Sequence, residues 1–210
     1  LATPEVNVCT IEDPIEMVDP RLNQMQGNGD IDLTFATGVR ALMRQDPDII
    51  MVGEIRDLET ADMAVQAALT GHLVLSTLHT NDAPSAVTRL LDLGAPPYLL
   101  NATLLGVMAQ RLVRTLCPHC KAKAPFQRED DHATWNAICA PFKSTPPAEV
   151  WRPVGCLEYR NTGYLGRVGI YEILTLTVDL KRLLVAEPDL VRLTEACYRA
   201  GMRPLRLGSR

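Results

Sequence analysis

Residues 43–57 have the sequence Met-Arg-Gln-Asp-Pro-Asp-Ile-Ile-Met-Val-Gly-Glu-Ile-Arg-Asp. Four consecutive apolar residues, Ile49–Val52, are too few for a core helix and predict a short strand buried on both faces. Pro47 ends any helix that precedes it. Glu54 follows the strand after Gly53, so an acidic side chain stands at the strand's carboxyl end, where open α/β sheets bind ligands. Such a carboxylate orients a water or helps to hold Mg²⁺ beside a phosphate chain; the alternative is a solvated turn.

Strands and helices alternate on both sides of this stretch. β-Branched runs predict strands, and apolar residues at helical spacing predict amphipathic helices. The predicted strands cover residues 6–11 and 72–78, and the predicted helices follow the candidate N-caps Asp32 or Thr34, Asp57 and Asp82. Residues 17–33 are predicted to be irregular. This order of elements is typical of a parallel sheet and predicts an α/β fold.

Acidic and imidazole side chains flank these strands. Glu12, Asp13 and Glu16 follow the first strand, while His72 and His79 stand before and after the last. Because parallel strands end at one edge, the acids are expected at the same edge as the glutamate that follows the buried strand. Imidazoles there would donate to phosphate oxygens or position a water. The alternatives are an acidic surface turn and histidines that form structural hydrogen bonds.

Three strings closely resemble signatures of the bacterial type II secretion and type IV pilus assembly ATPases. Residues 43–57 resemble the family's Walker B region, in which a glycine, here Gly53, replaces the usual aspartate. Residues 11–16 resemble its aspartate box, and residues 70–81 resemble its histidine box. The resemblance covers about residues 6–206 and implies a RecA-like P-loop NTPase core that uses ATP and Mg²⁺.

The resemblance also implies roles for single residues. Glu54 would activate the attacking water, Glu12 and Glu16 would support the metal and the water, and His79 would contact the γ-phosphate. The implied catalytic residues are Glu54, Glu12 and His79, and the implied nucleotide contacts are Glu16, Asp13, His72 and Arg56. His79 is preferred to His72, and Asp13 would mainly shape its box.

The phosphate-binding loop of such an ATPase is missing from the sequence. No Gly-x-x-x-x-Gly-Lys-Ser/Thr occurs in the 210 residues, and the first residue is not Met. In the resembled family the loop lies just upstream of the strand that starts near Val6. We therefore expect an ATP hydrolase as the full-length protein and an inactive piece when this chain is taken alone.

The second half of the chain predicts smaller units. The expected divisions are a partial RecA-like core (1–95), a helical subdomain (96–116), a degenerate zinc-knuckle-like subdomain (117–160), and a C-terminal strand with helices (161–210). The apolar spacing over residues 98–115 predicts one long helix. Residues 168–174 predict a strand, and two short helices are expected around Pro188. Residues 121–154 are predicted to form an exposed insertion.

A CxxC motif raises the question of a metal. Cys117 and Cys120 stand on one turn and would chelate a tetrahedral Zn²⁺. In the resembled family a second pair completes the site; here Cys156 aligns with its first member, but Tyr159 stands in place of the fourth cysteine. Three interpretations stay open: a substitute ligand, loss of the metal, or weak binding. The candidate substitutes are Cys139, His132, Glu158 and a water.

Composition limits the partners. The chain is 47% hydrophobic and 22% charged with a net charge of −4, which is typical of a packed protein and gives no general electrostatic reason to bind nucleic acid. No apolar run approaches the length of a membrane span, and no signal peptide is evident. The resemblance implies a hexameric ring that works in the cytoplasm, held peripherally at the inner membrane through a platform protein.

Three other functions remain open at this stage. The chain could be a docking or oligomerisation module that never hydrolyses ATP, which the missing loop favours. It could belong to a pilus-retraction ATPase, which shares the acidic and histidine boxes, although the CxxC favours the assembly branch. A zinc-dependent nucleic-acid binder would show salt-sensitive binding, and none is expected because dense basic stripes with stacking aromatics are missing.

Overall fold

The computed structural model describes residues 1–127, 129–142, 144–157, 160–185 and 187–207, and the side chain of Glu129 is not described. In chain order its elements are β1 Val8–Glu12, β2 Asn23–Gln26, a 3-10 helix Gly29–Ile31, α1 Phe35–Leu42, β3 Ile49–Val52, α2 Leu58–Leu69, β4 Leu73–Ser76, α3 Ala83–Asp92, α4 Pro97–Thr103, β5 Gly106–Leu116, β6 Ala122–Pro125, α5 Glu129–Cys139, β7 Glu149–Arg152, β8 Tyr164–Thr175, α6 Val178–Lys181, α7 Leu190–Arg199 and a 3-10 helix Leu205–Leu207. Glu158, a candidate substitute ligand for zinc, and Tyr159, which stands in place of the fourth cysteine, lie outside the described residues.

The chain divides into two compact units. The first comprises Leu1–Val107 and Leu174–Ala200, and the second comprises Met108–Ile173 and Gly201–Arg210. A four-stranded parallel sheet in the order β2-β1-β3-β4 forms the centre of the first unit. The predicted parallel α/β sheet is therefore confirmed.

The central strands and two helices enclose the core of the first unit. Residues Cys9, Ile11, Val39, Leu42, Ile50, Val52 and Ala67 form one buried cluster. Complete burial of a side chain such as Ile50 contributes about 1.5–3 kcal/mol. Both faces of β1 and β3 are covered, which explains their near-continuous apolar sequence.

Side-chain caps fix where the helices of this unit begin. Thr34 forms a capping box with Thr37 at α1, so the candidate Thr34, and not Asp32, is the N-cap. Asp57 accepts a hydrogen bond from the backbone N–H of Thr60 at 2.8 Å and starts α2. Asp82 makes the matching contact at the start of α3. The two predicted C-terminal helices are present as α6 and α7.

The second unit contains most of the paired strands β5 and β8, a small antiparallel sheet and helix α5. Strands β6 and β7 pair with each other, and α5 lies between them in the chain. The buried carboxylate of Asp131 on α5 forms an ion pair with Arg152 on β7. Residues 121–154 therefore contain regular structure that was not predicted from their polar and proline-rich sequence. Strand β2 was likewise missed, because four residues flanked by polar turns show no clear alternation.

The long helix predicted over residues 98–115 is wrong. Helix α4 ends at Thr103, Leu104 is extended, and the chain continues as β5, which pairs with the predicted strand β8. Gly106 disfavours a continued helix, and a Cβ there would stand 2.8 Å from the backbone oxygen of Leu174. The backbones approach closely at this point, so pairing with a distant strand prevails over a local apolar period.

This close approach predicts a specific loss of stability. Gly106→Ala should lower the free energy of unfolding by about 1–3 kcal/mol, because the added methyl group must push one backbone away from the other. Urea unfolding of the variant measures the change. Gly29→Ala is a matched control, since an added Cβ there meets no atom within 4 Å. Equal midpoints for the two variants would contradict the proposed close packing.

No helix in the described part of the chain is long and apolar enough to cross a membrane.

Candidate active site at the carboxyl edge of the sheet

Strand register brings three predicted segments to one edge. Ile11 of β1 is level with Val52 of β3, which in turn is level with Ser76 of β4. Glu12, the last residue of β1, therefore meets Gly53 and Thr77, which directly follow β3 and β4, at the carboxyl ends of the strands. This edge is where ligands of parallel sheets bind.

Gly53 lets the backbone turn tightly at this edge. Its N–H donates to the backbone oxygen of Ile11 at 2.8 Å. A Cβ at this position would stand 3.1 Å from that same oxygen and 3.1 Å from the ring of Phe35. Thr77 adds a second constraint, because its hydroxyl donates to the backbone oxygen of Gly53 at 2.6 Å. The turn therefore presents the next side chain, Glu54, in a fixed direction.

Glu54 is held between two basic side chains. The guanidinium of Arg56 donates to Oε1 of Glu54, and Nε2 of His79 lies 3.2 Å from Oε2. The Glu54 side chain is 12% exposed, whereas Arg56 and His79 are 63% and 90% exposed. Oε2 is buried, and among the described residues it accepts no well-formed hydrogen bond, although the His79 ring lies near it. An acceptor of this kind is poised to take a hydrogen bond from a water molecule.

Arg56 also sets the charge state of this carboxyl group. Its hydrogen bond to Glu54 lowers the pKa of Glu54 below the ordinary value, because the bond favours the carboxylate; burial opposes this shift. The charge of His79 acts in the same direction as that of Arg56. Glu54 is therefore ionised at neutral pH.

The acids of residues 12–16 surround the neighbouring strand end. Oε1 of Glu12 accepts hydrogen bonds from the Thr10 hydroxyl at 2.5 Å and from the Gln24 amide at 3.0 Å. Asp13 and Glu16 are exposed. Among the described residues, the acids do not form a group of three with their oxygens at metal-ligand separations. The predicted edge is therefore present, while the metal-supporting role of these acids stays a prediction.

A cleft adjoins Arg56 on the side of the aspartate box. It has a volume of about 260 Å³, and its lining includes Asp13, Arg56, and the first turns of α1 and α2. The charge of Asp13 contributes to raising the pKa of the Arg56 guanidinium, after the larger effect of Glu54. Arg56 thus stands between the carboxylate of Glu54 and an open cleft of mixed polarity.

His72 lies at the opposite end of the sheet. It precedes β4, and its Nδ1 is 2.9 Å from the backbone oxygen of Ala67 and 3.1 Å from the Thr70 hydroxyl. At about 3.3 Å per residue, the length of β4 separates it from the carboxyl edge by roughly 13 Å. The structure therefore does not bring His72 to Glu54 and instead uses it to tie β4 to the end of α2.

Gln24 is a residue of this edge that sequence reasoning missed. It reaches Glu12 from β2 and also donates to the backbone oxygen of Met17 at 3.0 Å. No motif marks it. Recognition of β2 as a strand parallel to β1 was the only signal that would have placed Gln24 beside the acid.

The second unit brings together all three cysteines that were predicted to bind zinc. The sulfurs of Cys117, Cys120 and Cys156 all lie within 4.8 Å of one another, and the Cys117 and Cys156 sulfurs are 4.0 Å apart. A tetrahedral Zn²⁺ with bonds of about 2.3 Å requires sulfur separations of roughly 3.8 Å. The arrangement therefore fits zinc. Neither Cys139 nor His132 belongs to this group, and the ring of His132 packs against Phe126.

Hydrogen bonds prepare one of these thiols for ionisation. Burial raises the pKa of the Cys117 thiol, but hydrogen bonds from the backbone of His119 and Cys120 and from the other two thiols outweigh it, so the net pKa is lowered. Burial and the neighbouring sulfurs raise the pKa of Cys156.

Comparison with known proteins is decisive for the family. The model of the family described as "Type II/IV secretion system protein" matches residues 1–210. The chain belongs to this family. The resemblance seen in the acidic, Walker B and histidine strings is therefore confirmed, and so is the RecA-like P-loop fold class.

Curated relatives in this secretion family have high sequence identity. The chain is 59% identical over 207 residues to the type IV pilus assembly ATPase TfpB of Acinetobacter baylyi, covering 99% of this chain and 35% of that protein. It is 51% identical to the type II secretion system protein HxcR of Pseudomonas aeruginosa, covering 95% of this chain and 38% of the relative. The chain thus spans about a third of the length of the curated relatives that it matches.

Solved structures of the same fold include a pilus motor. The structure titled as the pilus retraction motor PilT with bound ADP matches with a TM-score of 0.61 and 29% identity, covering 93% of this chain and 45% of that one. The Legionella pneumophila ATPase DotB matches with a TM-score of 0.58 and 25% identity, covering 97% and 44%.

Proposed function

We propose that this chain is the C-terminal motor portion of an ATPase that drives pseudopilus assembly in type II secretion or type IV pilus assembly. The observation that supports this most directly is the buried carboxylate of Glu54 between Arg56 and His79, at the carboxyl edge of the sheet. The relatives at 59% and 51% identity are named as a type IV pilus assembly ATPase and a type II secretion system protein, and these names suggest the assemblies in which such a site would act.

The proposed reaction is hydrolysis of ATP with Mg²⁺. Glu54 accepts a proton from the attacking water through its unsatisfied Oε2. His79, highly exposed and 3.2 Å from that oxygen, contacts the γ-phosphate and limits where the water sits. Glu12 and Glu16 would support the hydrated Mg²⁺ at the adjoining strand end, and Asp13 would shape the loop between them.

Two further nucleotide contacts are proposed with different support. Arg56 is exposed at the mouth of the cleft and would bind phosphate oxygens. His72, at the far end of β4, would affect the nucleotide only indirectly, by fixing the strand that leads to His79.

We also propose that the thiols of Cys117, Cys120 and Cys156 hold one structural Zn²⁺. The sulfur separations support the proposal. The metal would hold the CxxC turn to the segment around Cys156 and so stabilise the second unit.

The proposed setting rests on the resemblance to the secretion ATPase family. A motor of this kind would act as a hexameric ring, in the cytoplasm, docked peripherally to a platform protein of the inner membrane. The alternatives are a docking or oligomerisation module and a retraction motor; the structural likeness to PilT supports the second.

The test is steady-state ATP hydrolysis by the full-length protein, with and without Mg²⁺. We expect Mg²⁺-dependent release of ADP and phosphate. An oligomer that assembles and binds its membrane partner but releases no phosphate above buffer would favour the docking module. The retraction alternative requires a separate assay: pili should disappear from cells that lack an assembly motor and should accumulate in cells that lack a retraction motor.

A further inference from the structure

The ion pair between Glu54 and Arg56 opposes the proposed role of Glu54 as a general base. Oε1 accepts the Arg56 guanidinium, and this contact lowers the pKa of the carboxyl group. A carboxylate with a lowered pKa is a weaker base, so an enzyme that uses it as a base benefits from loosening the pair during reaction. The contact is therefore better suited to the time before proton transfer than to proton transfer itself.

The positions of the two partners allow an exchange. Glu54 is largely buried on a turn fixed by Gly53 and Thr77, whereas the Arg56 side chain is 63% exposed and borders the cleft. A phosphate chain arriving from solvent would meet the guanidinium without entering the protein. Arginine binds phosphate and carboxylate oxygens with the same planar set of donors, so the two anions compete for it.

We propose that Arg56 is a positioning residue that changes partner during the ATPase cycle. In the resting chain it occupies Oε1 of Glu54. When polyphosphate binds, the guanidinium moves to phosphate oxygens and leaves the carboxylate to the attacking water. This inference rests on the proposed ATPase function and adds to it the order of events: substrate binding itself releases the base.

The other charged groups near Arg56 are consistent with this exchange. His79 faces Glu54 from the loop after β4, and Asp13 acts on Arg56 from the loop after β1. Asp13 offers the guanidinium a second anion at the mouth of the cleft, so the side chain does not lose all electrostatic support as it leaves Glu54.

The proposed exchange of partners can be tested by binding measurements alone, without ATP hydrolysis. If Glu54 and phosphate compete for one guanidinium, removing the charge of Glu54 must tighten phosphate binding, and the gain must depend on Arg56. Inorganic tripolyphosphate is the probe, and calorimetric titration of the full-length protein at fixed pH and salt is the measurement. The variants form a double-mutant cycle: Glu54→Gln, Arg56→Gln and the pair.

We expect Glu54→Gln to tighten tripolyphosphate binding about tenfold and Arg56→Gln to weaken it about tenfold. When Arg56 has already been replaced by Gln, Glu54→Gln should change the affinity for tripolyphosphate by less than about threefold, because only the general effect of one lost negative charge remains. Glu59→Gln is the matched control, because this exposed acid lines the same cleft. Its effect should be the same with and without Arg56.

Additive effects of Glu54→Gln and Arg56→Gln would overturn the exchange, as would a wild-type protein that binds no tripolyphosphate. The proposed function fails differently: phosphate binding would show the coupling, while the wild-type protein would never hydrolyse ATP. The two ideas are therefore separable in one set of variants.

Discussion

Glu54→Gln in the full-length protein should lower ATP turnover by about a hundred- to ten-thousandfold, the usual contribution of a positioned general base. Glutamine keeps the shape of the side chain and still offers an oxygen to Arg56, but its amide cannot accept a proton from water. Nucleotide affinity should stay the same or increase. The loss should therefore appear in kcat, which steady-state phosphate release measures.

The pH dependence of the wild-type enzyme gives an independent check on the same residue. The pKa of Glu54 lies below its ordinary value in the resting protein, so the carboxylate persists through the mildly acidic range and protonates only below it. The ratio kcat/KM, which reports the free enzyme with this ion pair intact, should therefore not fall because of Glu54 until the pH drops below the usual range of a glutamate. The ion pair's contribution to the free energy of unfolding has the same pH dependence. It is present above the usual titration range of a glutamate and is lost as the pH falls below that range.

A matched substitution separates this chemistry from general effects of charge. Glu195→Gln removes one negative charge from an exposed position on α7 and should leave turnover unchanged. If Glu54→Gln retains wild-type turnover, the base is another group, and Glu12 at the adjoining strand end becomes the first candidate.

Local sequence was sufficient for the part of the fold that carries this site. The apolar run Ile49–Val52 matches β3 residue for residue, and Asp57 and Asp82 cap the helices that they were predicted to start. These elements are short-range: a buried run, a cap and a helical period all lie within about a dozen residues.

The errors occur where distant pairing decides the structure. Residues 98–115 carry a helical apolar pattern, but β5 forms because β8, more than fifty residues away, offers a partner. Strand β2 also exists only as the parallel neighbour of β1. A single sequence does not show which distant segments will pair, so both elements were invisible to periodicity.

The candidate site likewise has features that the sequence predicts and features that only the structure shows. The sheet edge where Glu12, Glu54 and His79 end up follows from strand order, because parallel strands place their carboxyl ends together. The ion pair between Glu54 and Arg56 does not follow from residue types, since an arginine two positions from a glutamate also points to solvent in many turns. His72 shows the reverse case: its place in the histidine string implied a nucleotide contact, yet the backbone directs its ring to Ala67.

Cys117→Ser should remove zinc from the protein and destabilise the second unit. Structural Zn²⁺ binding is worth about 10–16 kcal/mol over four ligands, so one thiolate carries about 3 kcal/mol, or roughly a hundredfold in affinity. We expect about one zinc per wild-type chain by elemental analysis and less than about one tenth after the substitution and dialysis against a chelator. Cys139→Ala is the control, because its buried thiol lies in the same unit but outside the three-sulfur group.

Acid should release the same metal, because protons and Zn²⁺ compete for the sulfurs. The site offers three thiolates, one fewer than a closed four-cysteine site, so protons displace the metal from it more easily. Zinc should therefore leave the wild-type protein at a higher pH than it leaves a closed four-cysteine site. Two results together would contradict the zinc site: a wild-type chain that contains no zinc, and a Cys117→Ser variant that melts no lower than the Cys139→Ala variant. They would mean that the three thiols pack as ordinary core residues. Zinc lost equally in both variants would instead make Cys139 a ligand, and the turn from Cys117 to Cys120 would then have to rearrange to reach it.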